Sequence, residues 1–206
     1  MTTVMQFLSV LLCTTAYAVM RYVVFGDVSP IHVPAYIFNK SVSMTAAVGL
    51  FMVSAGLVSA RQDTVRFWSR ASLHLVLIHV LLSLALFSRG YYPKFFDGDK
   101  MSLTGEAMLL FGGLAAYCFW RLGTPDLQQT ARRILTVLSR VLVACHLLVM
   151  GFGGWLQVQK WHGGLPPITL LSFLLVAYSL VAVLRLKEPG LAPSQAAESS
   201  GPSASS

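Results

Sequence analysis

At 206 residues, 55% hydrophobic and only 11% charged, the chain has the composition of a protein that lives in a bilayer and not of a soluble enzyme. Its formal net charge of +7 is explained by basic residues gathered on one side of a membrane, so no nucleic-acid partner is needed. Six apolar segments have the length of a membrane crossing, roughly 20 residues each. Their close spacing leaves no room for a soluble catalytic domain between them.

The first segment, Met5–Phe25, partly mimics a secretory signal: Leu8–Ala18 is apolar and Thr15-Ala16-Tyr17-Ala18 resembles a cleavage site. Met1-Thr2-Thr3 lacks a basic start, however, and the apolar run continues past Arg21, so the helix is expected to be retained. The second, Tyr36–Ala60, carries Asn39 and Lys40 near one end. Lys40 is placed to snorkel outward, although the pair could equally bind something there. The third, Ala71–Arg89, follows Arg66 and Arg70 and contains His74 and His79. The fourth, Leu103–Arg121, has Glu106 near its start and Gly112-Gly113 at its middle. The fifth, Ile134–Leu156, contains Arg140, Cys145 and His146, then Gly151, Gly153 and Gly154. The sixth, Ile168–Leu186, is opened by Pro166-Pro167, which suits a first helical turn. The expected fold is therefore all-α, a polytopic six-helix transmembrane bundle over residues 1–187. Residues 188–206 are rich in Pro, Ser, Ala and Gly, and are expected to form a disordered cytoplasmic tail.

One face of this topology collects Arg61, Arg66, Arg70, Arg121, Arg132, Arg133, Arg185 and Lys187. The other has Arg89, Lys94, Lys100 and Lys160, diluted by Asp27, Asp97 and Asp99. The first face is expected to be cytoplasmic, with both termini inside the plasma (inner) membrane. Its basic rim would also attract anionic lipid. Tyr91-Tyr92, Trp155 and Trp161 mark one interface, and Trp68 and Trp120 the other. Cys13, Cys118 and Cys145 all fall inside spans, where packing as small apolar residues is the expected role.

His79 and His146 are the residues that speak of function. An ionisable side chain deep in a bilayer must face the protein interior and be engaged there. Imidazole is also the usual axial ligand of haem iron. His74 and His79 lie about 140° apart around their helix and cannot face one partner. Counted from Arg70, His79 is roughly 13 Å deep and His74 roughly 6 Å; counted from Arg133, His146 is roughly 20 Å deep. His79 is thus the better partner for His146, with His74 interfacial, as an alternative ligand or near a haem propionate. The competing reading of both deep histidines is a hydrogen bond to a carbonyl or hydroxyl of another helix. Arg140 either snorkels or pairs with a propionate, and Arg66 or Arg70 could serve the same role. His32 and His162 fall in outer loops, where ordering the loop is the simpler role and a substrate contact stays open.

The run from Arg66 through Phe-Trp-Ser-Arg70-Ala-Ser-Leu to His79, with the segment from Arg133 to His146, resembles the third and fifth helices of ferric reductase-like transmembrane domains. That superfamily includes ferric reductases, NADPH oxidases and the haem subunit of bacterial methionine sulfoxide reduction. The resemblance implies haem b held by His79 and His146. Members with two haems have a second histidine further along each helix; the corresponding positions, near Tyr92 and Val158, hold none, which implies a single haem. Neither a flavin- nor a nicotinamide-binding domain is present, and no glycine-rich phosphate loop follows a strand. The resemblance then implies a separate electron donor, a quinone or a soluble reductase docking on the basic face. Two readings without haem compete with it: a small transporter whose histidines relay protons, and a non-catalytic assembly subunit.

Overall fold

The computed structural model describes residues 2–185, so the tail expected over residues 188–206 lies outside the described residues. Six long helices make up most of it: α1 (Thr3–Val19), α2 (Val33–Val58), α3 (Gln62–Ala85), α4 (Leu103–Leu122), α5 (Gln129–Trp155) and α6 (Ile168–Arg185). All six are long and apolar enough to cross a membrane. The chain is a multi-pass membrane protein with an all-α bundle.

Helix lengths exceed several of the apolar segments. The third helix begins at Gln62, nine positions before the segment expected at Ala71, and the fifth begins at Gln129, five before Ile134. Hydropathy marks the stretch that sits in hydrocarbon, whereas the backbone hydrogen-bond ladder continues through the basic residues at the rim. The end of α1 runs into a wider turn of π-helix over Met20–Val24.

Consecutive helices alternate in direction. Short turns at 59–61 and 123–128 lie at one end of the bundle, and longer connections at 25–32, 86–102 and 156–167 at the other. The longest connection contains a two-stranded hairpin, β1 (Phe96–Asp97) with β2 (Lys100–Met101). Bonds from helix ends to connections mark the common end: Tyr17 Oη donates to Pro166 O at 2.6 Å, Arg21 Nη1 donates to Leu165 O, and Lys94 Nζ donates to Met150 O at 2.6 Å.

Helix α2 is the hub, packed on α1, α3 and α6, while α5 packs on α4 and α6. Small residues set these approaches: a Cβ on Gly49 would lie 2.1 Å from Ser72 Oγ on α3. Hydroxyls bridge helices inside the bundle, as in Thr14 to Thr45 at 2.8 Å and Ser54 to Ser179 at 2.6 Å. Large apolar side chains such as Leu12, Leu81, Leu110 and Leu174 point outward instead. In lipid that arrangement is stable, since apolar side chains lose nothing there while unpaired polar groups do. By contrast, α3 and α4 touch only sparsely. A cavity opens where this packing fails.

Candidate functional site

His79 and His146 occupy matching positions along their helices. Each is seventeen positions from the first residue of its helix, Gln62 in α3 and Gln129 in α5. The offset expected from Arg70 and Arg133 disappears because those arginines sit at different distances along their helices.

Each imidazole is fixed through Nδ1. That of His79 lies 2.7 Å from Asn39 Oδ1. Asn39 Nδ2 in turn donates to Ser83 Oγ and Tyr92 Oη, both at 3.2 Å, which sets the orientation of the amide. That of His146 lies 2.9 Å from Met108 O. Amide and backbone carbonyl oxygens only accept, so in both rings Nδ1 carries the proton and Nε2 presents a lone pair. Among the described residues neither Nε2 has a hydrogen-bond partner. Both rings line one cavity.

The cavity holds about 1280 Å³ of atom-free space, part of it open to the surroundings. Its walls come from α2 through α6 and are mainly apolar: Ala46, Ala47, Leu50, Val76, Val80, Leu109, Val143 and Leu147. The polar exceptions cluster towards the long-loop end, namely Asn39, Lys40, Ser43, Ser83, Tyr92, Thr169 and Ser172. Leu84 on α3, 55% exposed, and Gly113 on α4 are both lining and surface residues, so the cavity reaches the bundle's side between these two helices. Gly112 makes room for the ring itself, because a Cβ there would sit 3.0 Å from His146 Nδ1.

The other expected site residues lie elsewhere. His74 is exposed, with Nδ1 bonded to Arg70 O on its own helix at 2.8 Å. Arg70 is exposed too and shares a shallow surface groove with Asp63 and Arg66 at the short-turn end. Arg140 is 3% exposed and neither snorkels nor faces the cavity. Its Nε donates to Ser179 Oγ at 2.9 Å and its Nη1 to Thr136 O at 2.7 Å. None of these three lines the cavity that His79 and His146 share. The separation of His74 from His79 around α3 is the physical reason in the first case.

Other groups shape the cavity around the two rings. Asn39 and the Met108 carbonyl orient the imidazoles, Gly112 clears space, and Lys40 supplies the positive charge in the wall. Sequence marks Asn39-Lys40 as a polar pair inside an apolar span that could bind something, whereas the Met108 carbonyl has no sequence signal. His32 and His162 order the long-loop end: the ring of His32 packs 4.2 Å from that of Tyr91, and His162 lies 6.4 Å from Tyr22.

Among the described residues no group of three or more His, Cys, Asp or Glu side chains could hold a metal ion. Two imidazoles are too few to hold a bare ion, which needs three or four protein ligands. A macrocycle brings its own equatorial nitrogens and needs only axial ones. The donor set present, two Nε2 lone pairs across an apolar cavity with oriented rings, fits that group. No protein-family model matches the chain, and no curated protein matches it either.

Proposed function

We propose that the chain is a membrane b-type cytochrome, an electron-transfer subunit built like a ferric reductase transmembrane domain. The observation that carries this reading is the pair of unpartnered Nε2 atoms on two helices, each with Nδ1 tied to an oxygen acceptor, lining one apolar cavity. Histidines kept only for structure would have both nitrogens satisfied at this depth. His79 and His146 would hold one haem b, which would supply one-electron chemistry. Held by two imidazoles, such a group would suit electron transfer better than oxygen binding.

The protein's own part is to orient two neutral imidazoles, exclude water with Ala46, Leu50, Val76 and Val143, and hold a positive charge at the wall. The tautomer is the decisive contribution, since each ring presents its lone pair without prior loss of a proton.

The basic residues favour a cytoplasmic short-turn end, and the membrane would then be the plasma (inner) membrane with both termini inside. Each histidine is seventeen residues, about 26 Å of helix, from that end. A soluble reductase docked on the basic face would be separated from the site by most of the bilayer. The opening between α3 and α4 favours instead a quinol dissolved in lipid as donor.

The test is a dithionite-reduced minus oxidised spectrum of the purified protein in detergent, with haem quantified as pyridine haemochrome. A sharp low-spin b-type signal at one haem per chain is expected. No haem after expression with ample haem supply would overturn the reading in favour of a transporter or assembly subunit.

A further inference from the structure

Lys40 is an odd residue for its position. It lies eight residues into α2, half-buried, lining the same cavity as the histidines. Its ammonium packs over the rings of Tyr36 (5.1 Å) and Tyr92 (5.8 Å) and makes no hydrogen bond among the described residues. A second ammonium reaches towards the same mouth from the loop after α3. Lys94 bends back to donate to Met150 O at 2.6 Å and lies 4.8 Å over the Phe95 ring, and both Met150 and Phe95 are lining residues.

Among the described residues no carboxylate pairs with either lysine; the nearby ion pair joins Arg89 to Asp99 on the surface. Two like charges gathered at one opening without an acidic partner repel each other, and an anionic occupant would relieve that cost. Withdrawal of the Lys94 ammonium from water, and then the charge of Lys40, pull its pKa down to about 8. Lys40 is also close enough to act electrostatically on both imidazoles, and Lys94 on that of His146. The basic residues at the other end, Arg66 and Arg70, lie outside this cavity, and Arg140 donates to Ser179 and Thr136.

We infer that Lys40 and Lys94 form a carboxylate seat at the long-loop mouth, holding the propionate edge of the cavity's occupant towards that end of the bundle. The inference rests on the cytochrome reading and adds an orientation to it. An ammonium is a mobile point charge with three donors, suited to carboxylates on flexible arms. The alternative source of the same chemistry is the headgroup of an anionic lipid entering the mouth.

The experiment compares haem b with its dimethyl ester, which has the same macrocycle without the two charges. Full-length protein made under haem limitation is reconstituted in detergent with each, as wild type, Lys40→Gln, Lys94→Gln, Lys40→Arg and Lys94→Arg. Each Gln variant is expected to bind haem b about tenfold more weakly, the effect of losing one charged hydrogen bond. Its midpoint potential is expected to fall, because positive charge near the iron favours the reduced form. The ester should bind all five proteins alike, and both Arg variants should recover haem b affinity. Equal binding and potential of haem b in wild type and Gln variants would overturn the seat, leaving the mouth to lipid. An equal loss for acid and ester would overturn it in favour of packing. Failure of wild type to take up either form would instead remove the cytochrome reading, and the seat with it.

Discussion

The bundle contains two buried polar centres, and their difference separates a fold-holding network from a binding site. Towards the short-turn end, Arg140 donates to Ser179 and Thr136, while Ser179 also meets Ser54 at 2.6 Å and Leu50 O at 3.1 Å. Towards the long-loop end, Asn39, His79 and His146 make equally well-formed bonds, but each imidazole is satisfied on one nitrogen only. The first centre is closed on itself, and neither Arg140 nor Ser179 lines the cavity of the histidines. The second is half-satisfied and borders the apolar cavity between the helices. In lipid an unmade hydrogen bond is costly, so a half-satisfied pair facing a void implies an occupant.

The comparison breaks most sharply at the histidines. His79→Ala and His146→Ala are each expected to abolish the low-spin haem spectrum, whereas His74→Ala should leave it intact. Loss on replacing His74 would reverse the assignment on α3. Next in size is a matched pair of glycines. Gly112→Ala puts a methyl group 3.0 Å from His146 Nδ1 and should displace the ring from Met108 O, at a cost of about 1–3 kcal/mol. Gly113→Ala meets nothing within 4 Å and should be neutral. Haem retention on heating in detergent distinguishes the two, and equal behaviour would show that the ring position does not matter.

The closed centre should respond in stability and not in the spectrum. Ser179→Ala removes the acceptor of Arg140 Nε and the partner of Ser54, leaving one N–H of a buried guanidinium without an acceptor. A loss of about 1–3 kcal/mol is expected. Ser54→Ala removes one neutral contact and should cost about 0.6 kcal/mol, the usual size of a hydrogen bond between membrane helices. Reversible unfolding in mixed micelles measures both, with the haem midpoint potential unchanged. A shift in that potential would tie Arg140 to the haem after all.

The six crossings were legible because apolar runs are a direct record of contact with hydrocarbon. Depth was less so. Arg70 and Arg133 look alike as basic rim residues, yet one lies eight positions inside its helix and the other four. Measuring from them offset two histidines that stand equally far along their helices. The histidines themselves were legible, since an ionisable residue at mid-membrane is rare enough to be read one residue at a time. Their supports were not. Whether Arg140 faces the cavity or Ser179 depends on how α5 turns against α6, and which carbonyl meets His146 depends on where α4 lies. Both are properties of packing between segments distant in sequence. Charge density along the chain pointed to the arginine-rich end, while the lysines near the cavity sit at the other.

The smallest expected effect is a pH dependence, and it tests the contrast between the two ends of the bundle. Lys94 is held down to about 8, against the usual 10.5, by withdrawal of its ammonium from water and by Lys40. Below about pH 8 it is charged and attracts a carboxylate; above it the charge is lost, where an ordinary lysine would keep it for two further units. Bound carboxylate stabilises the charged form and moves the loss to higher pH in the complex. Linkage then requires haem b affinity to fall between the two values, weakening several-fold from pH 7 to pH 9.5. The dimethyl ester should show no such slope, and Lys94→Gln should abolish it for haem b. The arginines of the opposite end stay charged throughout this range. A slope that persists in Lys94→Gln would therefore place the titrating group elsewhere in the mouth, and a flat profile in wild type would leave Lys94 outside the seat.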